Sequence, residues 1–247
     1  MAKQTGLGSS LLVEQWDLSG DIGAVTSIIT TRATLDVPDI SQSAMARIMG
    51  RRDGSLAYTA YWDTAASASH VVLSPQARTD QITSVLIGST VGSAAASMVG
   101  KQITYAPTVG ADGSLLATVN AQANGNGLEW GALLTTGKQT FASGAINGTS
   151  IDFGSASSLF GAAAYIHVIS LGSGTPTVTI ADSADNATFA TLSPVALAFS
   201  PTVPYAARAQ TGVAATIRRY VRVQVSGTYT NLVAAVVFVR YTESIAT

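Results

Sequence analysis

Charge is scarce in this chain. Of 247 residues, 13 are Lys or Arg and 14 are Asp or Glu, 11% in all, where an ordinary soluble domain carries about 25%. The net charge of −1 points neither to a basic nucleic-acid binder nor to an acidic tail. Cysteine is absent, which excludes disulfides, thiolate zinc sites, iron–sulfur ligation and cysteine nucleophiles together. Only two histidines, His70 and His167, offer imidazole for catalysis or metal binding. Long apolar runs are also missing. Leu11–Val13 near the start is three residues, against about 7–15 for the core of a signal peptide. Leu232–Val239 is the longest at eight, and a spanning helix needs about 20. The chain is therefore expected to be made in the cytosol and to leave it only within an assembly, so the sequons at Asn147 and Asn186 carry no weight.

What is present is a 47% apolar share, enough for a core, with surface positions filled by Ala, Ser, Thr and Gly. Such a surface keeps free copies apart poorly, so one covered largely by copies of itself is expected. Two-residue periodicity dominates. In 215–226 Ile217, Val221, Val223 and Val225, with Arg219 the exception, alternate with Thr216, Arg218, Tyr220, Arg222, Gln224 and Ser226, as in a strand with one wet face. In 114–124 Leu115, Ala117, Val119, Ala121 and Ala123 form one face. Further strands are expected at 11–16, 24–31, 54–62, 81–88, 101–106, 164–171, 175–181 and 231–241. Turn chemistry separates them at Asp17–Gly20, Asp53-Gly54, Asp112-Gly113, Asn124–Gly127 and Asn147-Gly148. Many short strands without long alternating helices predict antiparallel β, sandwich or barrel.

One helix is expected at 41–49, with Ser41 as N-cap, Ile40, Ala44, Met45, Ile48 and Met49 as an apolar stripe, and Gly50 as the stop. A short second one is expected at 67–73, before Pro75. Periodicity lapses over 138–149, and composition shifts across it. Residues 1–145 hold 8 basic and 10 acidic residues, net −2; residues 146–247 hold 5 and 4, net +1, with every cation an Arg. Two β domains, 1–145 and 146–247, are expected.

Few residues are arranged as a chemical site would need. Gly6-Leu-Gly8 and Gly125-Asn-Gly127 lack the strand-to-helix setting of a phosphate loop and read as turns. Asp182, Asp185 and Asn186 could offer oxygens to Ca²⁺, but also read as turn residues. His70 and His167 read as packed or edge histidines. A Ser–His–Asp triad is not excluded by residue types alone, although no Gly-x-Ser-x-Gly elbow is present. Arg51-Arg52 and Arg218-Arg219 are too sparse for a nucleic-acid face. Arg218, Tyr220 and Arg222 share a strand face that reads as surface decoration or a weak ligand surface. Trp16, Trp62 and Trp130 read as separate core anchors. No catalytic residue, cofactor or metal site is expected.

Several phrases resemble the tail tube (major tail) proteins of long-tailed bacteriophages, those of actinobacterial phages in particular. They are Leu11-Leu-Val-Glu-Gln-Trp-Asp-Leu-Ser-Gly-Asp-Ile-Gly23, Leu35-Asp-Val37, the stretch Ser41–Met49, Arg52-Asp-Gly-Ser-Leu-Ala-Tyr58, and Asp112-Gly-Ser-Leu115 with Asn124–Gly131. From Ile151-Asp-Phe-Gly154 through Thr177–Asn186 to Arg218–Val223 the chain is similar to the immunoglobulin-like or carbohydrate-binding-like sandwich appended to phage structural proteins. The resemblance implies an N-terminal β-sandwich or barrel with one flanking helix, hexameric rings stacked into a tube, and DNA passing through the lumen without sequence readout. It further implies contacts with other tail proteins at the tube ends, a location in the virion tail, and a C-terminal sandwich as outer decoration. A head decoration, collar or glycan-binding baseplate protein is the alternative within the same class, and an unusual His-dependent hydrolase the alternative outside it.

Overall fold

The computed structural model describes residues 6–41, 43–154, 157–192 and 197–243. It is nearly all antiparallel β, the class that the alternation predicts. In chain order the elements are β1 (Ser10–Val13), β2 (Trp16–Asp17), β3 (Ile22–Asp36), β4 (Arg47–Tyr61), α1 (Ser69–Leu73), β5 (Gln81–Leu86), β6 (Ala94–Val109), β7 (Leu115–Leu133), β8 (Gln139–Phe141), β9 (Ile146–Asn147), β10 (Ile151–Asp152), β11 (Ala162–Ser183), β12 (Ala190–Thr191), β13 (Ala198–Phe199), β14 (Tyr205–Gln210) and β15 (Tyr220–Arg240). No helix among the described residues is long and apolar enough to cross a membrane.

Packing divides the chain into two interleaved units: Met1–Ser19, Ile82–Ser97 and Trp130–Thr247 form the first, Gly20–Gln81 and Met98–Glu129 the second. The boundary expected at 145/146 falls inside the first unit, between β8 and β9, both of which pair with β15. Periodicity lapses there because these strands are three and two residues long, too short to show alternation.

In the first unit β11 and β15 pair from Ala162↔Arg240 to Ser183↔Tyr220, with a bulge between Val168 and Ser170. β14 borders residues 163–168 of β11, and β13 and β12 border 178–182. Both stretches feed one core: Ala164, Ile166 and Val168 meet Val178, Ile180, Val221, Val223, Val225, Val236 and Phe238 there. The predicted face Ile217, Val221, Val223 and Val225 is buried throughout. Midway, Gly174 has φ +87°, and a Cβ on it would lie 2.1 Å from the Thr228 carbonyl oxygen. Gly174→Ala is therefore expected to cost about 2 kcal/mol, read as a lower urea midpoint with an unchanged slope.

In the second unit the strand order is β3-β4-β7-β6. The predicted turn at Asp112-Gly113 closes the β6–β7 hairpin: Gly110 N–H donates to the Ser114 carbonyl at 2.7 Å, and Asp112 Oδ1 accepts from Ser114 N–H at 3.0 Å. Leu56, Tyr58 and Ala60 of β4 stand opposite Ala121, Val119 and Ala117 of β7, all buried. The short helix expected at 67–73 is present as α1, tied by Ser69 N–H to Asp21 Oδ2 at 2.8 Å.

The helix expected at 41–49 does not form. Ser41 donates from both N–H and Oγ to Asp39 Oδ1, at 2.8 and 2.5 Å, an Asx turn in place of a helix cap. Val37 N–H donates to the Ala46 carbonyl at 2.9 Å, after which Ile48 and Met49 enter β4 opposite Leu35 and Thr34. An apolar stripe supports a helix only when something covers it, and Ile40, Met45, Ile48 and Met49 are all exposed. Pairing with β3 takes the segment instead. Gly125-Asn-Gly127 likewise lies within β7 and not in a turn; both glycines have positive φ, as at strand irregularities.

Candidate assembly surface

Within the second unit β3 is a sheet edge, whereas β6 runs on to pair with β5 as well as β7. No strand of the described residues pairs with the outer side of β3. β4 meets β7 only over Ser55–Tyr61, so Thr30–Asp36 and Arg47–Gly54 continue as a two-stranded ribbon. Such a ribbon is marginal by itself in water. This one leaves Leu35, Val37, Ile40, Met45, Ile48 and Met49 exposed, Ile40 completely. Arg47 Nε and Asp36 Oδ1 pair across it at 3.0 Å, an exposed ion pair that contributes little. At its base the buried Glu129 carboxylate meets Arg52 Nη1 at 3.4 Å. Gly54 is required there, since a Cβ would lie 2.4 Å from Leu128 Cβ.

The two faces of this sheet differ. Opposite the buried face, the register aligns Ser55 with Gln122, Ala57 with Asn120, Thr59 with Thr118 and Tyr61 with Leu116. All eight are exposed or half-buried, and none is charged.

The first unit holds a buried polar chain. His167 is fully buried; its Nδ1 lies 2.6 Å from the Glu14 carbonyl and its Nε2 2.7 Å from Ser84 Oγ. Ser84 Oγ lies 2.7 Å from Ser97 Oγ. Burial holds the imidazole down to about 4, hence neutral, with Nδ1–H donating to the carbonyl and Nε2 accepting from Ser84. Glu14 has φ +53°, and its carboxylate accepts from Ile82 N–H at 2.5 Å; burial pushes it up in pKa. Ser84 and His167 thus have the pairing of a nucleophile and base, yet both are sealed from solvent. Nearby, Lys138 pairs with Asp17, whose carboxyl is lowered although burial opposes this, because Lys138 and Ser19 bond it.

His70, in the second unit, stacks on Trp62 at 3.8 Å and bonds Tyr105 Oη through Nδ1 at 2.8 Å. Trp16 and Trp130 belong to the first unit, and Trp130 is exposed. Asp182 is buried against Arg218, whose N–H it accepts at 2.8 Å. Asp185 accepts from Ser183 Oγ and from Thr188 and Ala187 N–H, which lowers its carboxyl to about 2. Its oxygens thus serve their own turn, and no group of three or more potential metal ligands occurs among the described residues. Gly6-Leu-Gly8 forms a turn, with Ser9 N–H donating to Gly6 at 3.2 Å. Alternation could have exposed the ribbon, since β3 and β4 place apolar residues on both faces, but the buried chain through Ser84 and Ser97 has no local signal.

No family model and no curated protein matches the chain. Among solved structures, a chain of the virion of a native gene transfer agent particle is 13% identical with a TM-score of 0.42, over 52% of this chain and 98% of that one. A chain from the tail of an empty particle of that kind, refined with C6 symmetry, is 15% identical with a TM-score of 0.40 over the same shares. The Dit (gp 19.1) protein of phage SPP1, described as a hub of the adsorption apparatus in phages infecting Gram-positive hosts, is 9% identical with a TM-score of 0.35, over 94% of this chain and 99% of that one. At these identities and scores none of the three decides the function of this chain.

Proposed function

We propose that this chain is a non-enzymatic virion structural protein, a subunit of a phage tail tube. Copies form hexameric rings that stack into the conduit for DNA ejection. One observation carries the reading: a sheet with an open edge at β3, continued by an apolar ribbon that this chain leaves uncovered. Seating the β3 edge and its ribbon on a different surface of the next copy is a head-to-tail contact, which closes into a ring when the rotation fits. It covers the exposed β3 edge, and the ribbon then finds the apolar cover it lacks on a neighbouring copy. The uncharged face of Ser55, Thr59, Thr118, Asn120 and Gln122 suits a lumen that phosphate passes without being held. The phrases shared with tail tube proteins and the low charge agree with this.

Size measurement by light scattering together with negative-stain microscopy of the purified chain tests it. Hexameric rings or tubes are expected. A monomer that persists at high concentration, or rings of another order, would overturn the reading.

A further inference from the structure

The face of the β11–β15 ladder away from the core is polar, half-buried at Thr177 and Thr179 and closed over at Ala181 and Ser183. Its register aligns Thr177 with Ser226, Thr179 with Gln224, Ala181 with Arg222 and Ser183 with Tyr220. Arg222, Tyr220, Gln224, Thr179 and Phe189 are half-buried. Beside them β9 adds Asn147, whose Oδ1 accepts from Gln224 Nε2 at 2.8 Å.

Three arginines crowd the start of this strand, and two have carboxylates. Arg219 holds Asp152 through Nε and Nη2 at 2.6 and 2.7 Å. Arg218 has Asp182, by N–H at 2.8 Å and by side chain at 3.9 Å. Arg222 has no ion pair among the described residues. Its guanidinium lies 3.8 Å from the Phe189 ring, opposite the small Ala181, and its Nε is buried without a hydrogen-bond partner. Stacking on an aromatic ring compensates a half-buried cation only in part. It leaves the terminal N–H donors of the fork for an oxygen acid, which that fork fits in bidentate fashion. Gln224 lies two residues along the same face, about 7 Å away, the span of one sugar ring with its acidic substituent.

We propose that Arg222, backed by Phe189 and flanked by Gln224, Asn147 and Thr179, forms a binding site for an oxyanion carried on a polyol, a sugar acid or a polyol phosphate. Arg222 takes the anionic group; the amides and the hydroxyl take the polyol. This site is independent of ring assembly.

Calorimetric titration of the intact protein with a glucuronate-containing oligosaccharide, glycerol phosphate, inorganic phosphate and a neutral glucose oligosaccharide tests it. At least one acid-bearing polyol is expected to bind about tenfold or more tightly than the neutral sugar and than inorganic phosphate, and which one binds separates the two sources. Arg222→Gln is expected to abolish that preference with an unchanged melting temperature, and Gln224→Ala to weaken binding while the preference for acid remains. Should Arg222→Gln fail to fold, Gln224→Ala and Asn147→Ala decide. Equal binding of the neutral sugar, equal binding of inorganic phosphate, no binding at all, or variants that bind like the parent would each overturn the proposal.

Discussion

Replacing Ile48 and Met49 together by Asp is expected to yield a folded monomer that forms neither rings nor tubes. Both side chains are exposed in the single chain, so the folded subunit loses little when they change. In an assembly they meet the apolar surface of another copy, where an unpaired buried carboxylate costs about 3–5 kcal/mol. Two such groups in every subunit shift the association constant by at least about a thousandfold. Sedimentation velocity and circular dichroism read the two halves of this expectation. Tubes of normal yield would mean that the ribbon tip is not buried on assembly, and an unfolded variant would mean that these residues support the fold itself.

Acidification is expected to weaken the first unit between pH 6.5 and 4. His167 is ordinary at 6.5 when unfolded and lies at about 4 when folded, because burial disfavours its cation. Between those values the unfolded chain binds the proton and the folded chain does not, so stability falls as pH falls through this window. It is complete above it and levels off below. The full difference corresponds to about 3 kcal/mol. Glu14 and Asp182 act in the opposite sense. Burial raises both carboxyls, so acid favours their folded, protonated forms. Urea midpoints at pH 7 and 4.5, compared between the parent and His167→Gln, isolate the histidine, because Glu14 and Asp182 contribute to both proteins alike. A His167→Gln variant, which keeps a donor and an acceptor, is expected to lose most of the dependence in this window. Equal midpoint shifts in the parent and in His167→Gln would show that the imidazole is not held neutral.

The strands were legible where one face is buried and the other wet. The alternation at 215–226 runs into β15 and that at 114–124 lies along β7, with Ile217, Val221, Val223, Val225, Ala117, Val119 and Ala121 buried and Leu115 and Ala123 half-buried. Strand ends were less legible. The separate strands expected at 164–171 and 175–181 are both parts of β11, because a bulge after Val168 and the backbone at Gly174 interrupt the period without ending the pairing. The segment 41–49 has the pattern of a helix but not the structure of one, for a physical reason. Ile40, Ala44 and Ile48 recur at helical spacing by coincidence, while hydrogen bonds between Val37 and Ala46 and across β3–β4 bind the backbone. The candidate surface was legible only as scarce charge, which said that something covers this protein but not where.

The residues alone determined the class of the molecule: period-two patterning demands sheets, missing Cys and sparse His remove most site chemistry, and low charge favours burial by copies. Tertiary structure decided what distance along the chain hides. It seals His167 between Glu14 and Ser84, 153 and 83 residues away, and interleaves the two packing units through β6 and β7. It also leaves a long apolar ribbon beyond the edge of β7. Side-chain spacing is a local property, whereas a partner strand, a buried hydrogen bond or an uncovered edge exists only once remote segments have met.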